Sequence, residues 1–323
     1  RFADALPLYW PGDPFNLSGA CSMMAPGPQF ADQSDKQPRL GVALGGGSAR
    51  GYAHIGVLKI LEQHDLRPDL IVGTSFGAVV ASLYCLGHSV TDLQVQAAEM
   101  RRSTLLPRLL DFGLHRASLF EGRRLEAYLE EITGGKTFAD LETPLAVAAT
   151  DVDTGELVLL REGSLARALR ASVAMPGVFC PIEIDGRRLV DGGLAAPSPL
   201  ATLEGFDVDV RIGIGAGMTE GDSPVIGVTR RLVQTRHGRR LHRRMAASKR
   251  QNAVARLLKA AALTVDSWNA GPVRDDELHL HTRPPISWLN FSKAGAAIEA
   301  GEAAMASFMP RLRTAITKVS GAG

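Results

Sequence analysis

The pentapeptide Gly73-Thr74-Ser75-Phe76-Gly77 sets one serine between two glycines, directly after the apolar Leu70-Ile71-Val72 and just before an apolar run over residues 78–86. A serine hydroxyl is a weak nucleophile, and enzymes with the Gly-x-Ser-x-Gly pattern present it on a sharp turn between a strand and a helix. Glycines two positions to either side let strand and helix approach, and the helix N-terminus beneath the hydroxyl favours negative charge. The chemistry implied is acyl transfer through Ser75. It also needs donors for a developing oxyanion. The loop Gly45-Gly46-Gly47-Ser48-Ala49-Arg50-Gly51 lies between the preceding apolar segment and its helix, so its amides are expected at the same sheet edge. It is not a dinucleotide fingerprint, whose third glycine position falls on Arg50, nor a P-loop, which needs Gly-Lys-Ser/Thr.

These residues demand elements to hold them. Residues 40–44 read as a short buried strand, residues 53–63 have helical spacing, residues 70–72 form a second strand and residues 78–86 a helix apolar nearly all round. Strand, turn and helix thus occur twice, which predicts a parallel sheet covered by helices. Residues 144–150 and 155–160 follow as strands, and residues 164–173 as a helix capped by Ser164. Residues 178–184 and 187–190 form a hairpin about Asp185-Gly186, with Asp191 at its end. Residues 208–214 supply a last strand, and the basic stretch after them reads as helix to about residue 266. The expected fold is α/β: one three-layer α/β/α domain with a mostly parallel central sheet. Residues 1–38, rich in proline, form an irregular tail or linker, residues 39–222 the catalytic core, and residues 223–323 a basic, mostly helical extension of the same domain.

The glycine loop, the pentapeptide and Asp191-Gly192-Gly193 occur in the order and approximate spacing of the patatin-like phospholipases, and closely resemble their compact bacterial members. Ala149-Thr150-Asp151 with Thr154-Gly155-Glu156, and Ala171-Ser172-Val173-Ala174-Met175-Pro176, resemble that family too. The resemblance is strong over residues 39–215 and loose over the C-terminal helices. It implies a Ser-Asp dyad without histidine, with Ser75 as nucleophile, Asp191 as base and the amides of Gly46, Gly47 and Ser48 as oxyanion donors. Plant-type members have a third glycine where Ser48 stands. It also implies a phospholipid or lysophospholipid as substrate. The alternatives are a carboxylesterase or lipase for other esters, or an adaptor or regulatory protein retaining the fold.

The dyad also makes physical sense from the residues. An exposed Asp, with a pKa of about 4, is a poor base for a serine hydroxyl, so Asp191 must be desolvated and held against Ser75. Gly192 and Gly193 remove side chains beside it. The rival arrangement is a Ser-His-Asp triad using His279 or His281, which follow late enough in the chain. His54 is expected to pack against the sheet or join a polar pair, and Arg50 to steady the glycine loop or contact a phosphate. Asp151-Val152-Asp153-Thr154-Gly155 lacks the further acidic positions of a calcium loop, so no metal is expected, and no cofactor.

Hydrophobic residues make up 45% and charged residues 22% of the 323, a globular composition that excludes disorder throughout. No apolar stretch is long enough to span a bilayer as a helix. Cys21, Cys85 and Cys180 are too few and too scattered for a disulfide framework or a zinc site, and with Cys85 and Cys180 in apolar runs they read as buried free thiols. The net charge of +2 hides an asymmetry: residues 223–265 hold eleven Lys or Arg and no acid. Such a segment suits a solvated helix face, a membrane-surface helix or a nucleic-acid patch. For a lipid hydrolase the sharper expectation is peripheral contact with anionic lipid, and no nucleic-acid partner is expected. The expected location is the bacterial cytoplasm or the membrane periphery. The alternative is a lipid anchor on Cys21, because Leu17-Ser18-Gly19-Ala20-Cys21-Ser22 resembles a lipoprotein cleavage site.

Overall fold

Segments apolar at every position, such as Leu40-Gly41-Val42-Ala43-Leu44, satisfy both backbone and side chains only as interior strands of a sheet covered on both faces. The computed structural model describes residues 38–102, 111, 118, 120–176, 178–196, 198–216, 278–287 and 290–321. Among them β1 (Leu40–Leu44), β2 (Leu70–Thr74), β3 (Leu145–Asp151), β7 (Val210–Gly215) and β8 (Leu278–His281) lie side by side in the order β3-β2-β1-β7-β8, all parallel. Three antiparallel strands complete the sheet: β4 (Leu157–Leu160), β5 (Ile182–Ile184) and β6 (Arg187–Asp191).

One detail of pairing positions the site. A strand has two edges, and β4 takes one edge of β3 along residues 147–150. The other edge is shared by β2, over residues 145–148, and by β6, over residues 149–151. Since β2 runs parallel to β3 and β6 runs against it, their C-terminal ends meet head to head. Thr74 faces Ala148 and Asp191 faces Ala149, the next residue along.

Helices cover both faces unequally. Val42, Leu44, Ile71, Val147, Ile212 and Ile214 point into the main core. There they meet α1 (Ala53–Gln63), α2 (Phe76–Cys85), α3 (Val90–Arg102), α4 (Arg123–Thr133), α5 (Leu165–Ser172) and α6 (Ala294–Ser320). The opposite face, with Ala43, Val72 and Ala146, packs on Leu200 and Leu203 of a 3-10 helix, Pro199–Gly205. Together these make the three-layer α/β/α arrangement. α1 and α6 cross in backbone contact: a Cβ on Gly56 would lie 2.1 Å from the Ile298 carbonyl oxygen, and one on Gly301 2.0 Å from that of Ala53.

Several boundaries differ from the sequence reading. α2 begins at Phe76 rather than two residues later, because the Ser75 carbonyl already accepts the amides of Ala78 and Val79. The hairpin turn has positive φ at both Asp185 (51°) and Gly186 (73°), as a two-residue loop requires. Its first strand is only three residues long. Pro181 has no N–H for a ladder, and the chain before it turns to Phe120 instead, through a bridge at Phe179. α3, α4 and β8 occupy stretches for which the sequence reading assigns no element. Ser164 caps α5 as expected, accepting the Arg167 amide at 3.3 Å. The tail, Cys21 and nearly all of the basic stretch lie outside the described residues.

Candidate active site

Ser75 sits between the end of β2 and the start of α2 with φ 53° and ψ −126°. That backbone region is strained for any residue with a Cβ, and such strain persists only where the surroundings enforce it. The two flanking glycines are sterically required. A Cβ on Gly73 would lie 2.5 Å from the Cα of Ala78, and one on Gly77 2.5 Å from the carbonyl oxygens of Leu44 and Gly45. Strand, helix and glycine loop therefore touch through backbone alone, and the serine side chain is turned outward from that junction.

Ser75 Oγ donates to Asp191 Oδ2 at 2.8 Å, across 116 positions of sequence. Asp191 is 8% exposed. Burial pushes its carboxyl up to about 6, against the smaller downward pull of the Gly193 amide, 2.8 Å from Oδ1, and of the Ser75 hydroxyl. The backbone of Asp191 is fixed on both sides: its amide donates to the Ala174 carbonyl at 3.0 Å, and its carbonyl accepts Thr150 Oγ1 at 2.9 Å. Gly192 fits because a Cβ there would lie 2.2 Å from the Ala148 carbonyl oxygen.

The glycine loop lies over the same corner. A Cβ on Gly46 would stand 3.4 Å from the Cβ of Ser75, and one on Gly47 would meet that of Ala216 at 2.5 Å. Ser48 takes the left-handed φ of 51°. The Gly45 amide is spent on the Ile214 carbonyl, at 2.9 Å, whereas those of Gly46, Gly47 and Ser48 have no acceptor among the described residues. Such amides beside a serine hydroxyl suit a developing alkoxide. His54 braces the loop: its Nε2 donates to the Gly45 carbonyl at 2.8 Å, and burial pushes the imidazole down to about 4, so it is neutral at pH 7. Arg50 Nε reaches the Ile286 carbonyl at 2.8 Å, tying the loop to the segment after β8.

His279 and His281 stand elsewhere. They share a face of β8, with ring centroids 4.2 Å apart, and His279 Nε2 lies 3.2 Å from Ser198 Oγ. β8 is three strands from β2, a separation of about 14 Å at roughly 4.8 Å per strand, beyond the reach of an imidazole to Ser75. Asp151 is occupied with its own turn, accepting the amides of Asp153 and Thr154 at 2.9 and 3.3 Å. Cys85 is buried, whereas Cys180 is only half-buried, with its Sγ 2.7 Å from Ser118 Oγ. Sequence reasoning assigned no role to four buried residues that frame the site. Thr74 Oγ1 bonds the Ala196 carbonyl at 2.9 Å, and Thr150 and Ser172 bond the backbone of Asp191 and Ser75. Arg170 gathers the carbonyls of Glu121, Gly122 and Cys180 at 2.6–3.0 Å. Thr74 lies inside the pentapeptide, and Thr150 and Ser172 inside segments of family resemblance, whereas Arg170 lies in none of these motifs.

The family model described as patatin-like phospholipase matches residues 42–203. An uncharacterized NTE family protein of Mycobacterium tuberculosis is 36% identical over 188 residues, 58% of this chain and 52% of that protein. Human patatin-like phospholipase domain-containing protein 6 is 32% identical over 183 residues, 55% of this chain but 13% of the human protein. This chain therefore matches about half the length of the mycobacterial relative and a small part of the human one. Among solved structures, VipD from Legionella pneumophila superposes with a TM-score of 0.50 at 15% identity, covering 85% of this chain and 67% of that one, a likeness of fold.

Proposed function

The chain belongs to the patatin-like phospholipase family, and from that premise we propose that it is a serine acyl-ester hydrolase acting through a Ser75-Asp191 dyad. One observation carries the reading: a strained serine whose Oγ donates to a buried carboxylate at 2.8 Å, beside a loop whose amides have no acceptor among the described residues. Ser75 Oγ attacks the ester carbonyl carbon while Asp191 takes its proton. The amides of Gly46, Gly47 and Ser48 receive the oxyanion. Collapse of the tetrahedral intermediate expels the alcohol, which collects the proton from Asp191, and leaves an acyl-serine. Water then repeats the sequence and frees the fatty acid. The proposed substrate is a phospholipid or lysophospholipid, supported by the family and by the names of its relatives. A basic segment free of acids, residues 223–265, supports peripheral contact with an anionic lipid surface.

Hydrolysis of a panel of phospholipids, lysophospholipids and neutral esters, with products identified by mass, tests substrate class. Ser75→Ala and Asp191→Asn should each lower kcat by about 10³-fold or more. A Ser75→Ala protein keeping more than about a tenth of wild-type activity would sink the assignment, as would loss of activity on changing His279 or His281 but not Asp191.

A further inference from the structure

Behind the nucleophile stands a hydroxyl that the proposed reaction does not use. Ser172, the last residue of α5, is fully buried, accepts the Ser75 N–H at 2.8 Å and donates to the Ala148 carbonyl at 2.6 Å. A hydroxyl has one proton to give, so the carbonyl fixes its direction and leaves a lone pair for the amide. The amide itself needs an outside partner, since a residue capping a helix has no intrahelical acceptor for its N–H. Together the two bonds hold the peptide between Thr74 and Ser75, at the residue with φ 53° and ψ −126°. Ala148 is also the residue facing Thr74, and its carbonyl lies against Gly192, next to the base. One peptide group thus references both halves of the dyad.

We propose that Ser172 is a positioning residue, whose hydroxyl holds the Ser75 turn in the conformation that keeps Ser75 Oγ on Asp191. By taking up the Ser75 N–H it also leaves oxyanion binding to Gly46, Gly47 and Ser48. The inference rests on Ser75 being the nucleophile.

The test compares Ser172→Ala, Ser172→Cys and Ser172→Thr in the full chain, by the rate of fluorophosphonate labelling at Ser75, located by peptide mass, and by kcat and KM on a soluble short-chain ester. Removing the hydroxyl in the Ala variant should slow labelling and lower kcat by about tenfold or more, with KM within about threefold. Cys keeps the size but accepts hydrogen bonds weakly, so it should follow Ala, whereas Thr keeps the hydroxyl and should recover most of the rate. The acid limb of kcat should move to higher pH in the Ala variant, because the Ser75 bond that draws the Asp191 carboxyl down is loosened. Labelling and kcat at wild-type levels in Ser172→Ala overturn the proposal. So does recovery by Cys but not Thr, which would assign Ser172 to packing. If the Ala variant does not fold, the contrast between Cys and Thr decides. Wild-type protein that takes no label at Ser75 instead overturns the hydrolase reading itself.

Discussion

Asp191 gains basicity by giving up solvation, and the same exchange sets two opposite responses to pH. In the proposed dyad Asp191 works as carboxylate, so activity on a soluble ester should fall as pH drops through about 6, the value to which burial raises this group. A pH–rate profile with its acid limb centred near the ordinary carboxylate value of 3.8 would contradict this. Stability runs the other way. A carboxyl whose folded pKa exceeds its unfolded one contributes stability that is fully present below about 3.8 and lost as pH rises through about 6. Above that range the buried charge costs on the order of 3 kcal/mol at most. Asp191→Asn should therefore abolish catalysis, melt above the wild type at pH 8, and differ little from it at pH 3.5, where both side chains are neutral. Thermal melts at the two pH values check the point. An equal offset at both would trace the change to shape rather than charge.

At the scale of elements, close backbone contacts do the positioning. Gly73 and Gly77 let β2, α2 and the glycine loop converge under Ser75, and Gly56 and Gly301 let α1 and α6 cross with main chains touching. α1 carries His54, which braces the loop, so that crossing lies within one helix turn of the site's framework. Gly301→Ala should destabilise the protein by about 1–3 kcal/mol, because the obstacle is a carbonyl group that has no rotamer to change. Gly295→Ala, in the same helix but with nothing within 4 Å of the added carbon, should be neutral or stabilising by up to about 1 kcal/mol. Urea unfolding of both variants makes the comparison. Equal effects would show that helix propensity, not the crossing, governs the site.

For the whole molecule, charge and chemistry occupy different stretches of sequence. Replacing Arg239, Arg240, Arg243 and Arg244 by Gln removes four of the eleven cations in residues 223–265. Each is worth roughly 1 kcal/mol near an anionic membrane, so cosedimentation with anionic vesicles should weaken markedly while turnover of a soluble ester changes little. Raising salt should weaken the wild type in the same way, and equal binding to neutral and anionic vesicles would refute electrostatic recruitment. Several local patterns were legible in the sequence, though not α3, α4 or β8: the strand-turn-helix about Ser75, the fully apolar strands of a parallel sheet, the Asp-Gly turn and the Ser164 cap. Each depends on neighbours a few residues apart, which is the range over which backbone sterics and hydrophobic period act. What only the tertiary structure decided is which groups meet. Nothing local tells that β6 runs head-on into β2 along one edge of β3, bringing Asp191 to Ser75, or that β8 carries His279 and His281 three strands away. Nor does it tell that Ser172 would reach the Ser75 amide across 97 positions. Strand order and edge sharing come from packing the whole sheet against its helices, and that energy is not written in any one segment.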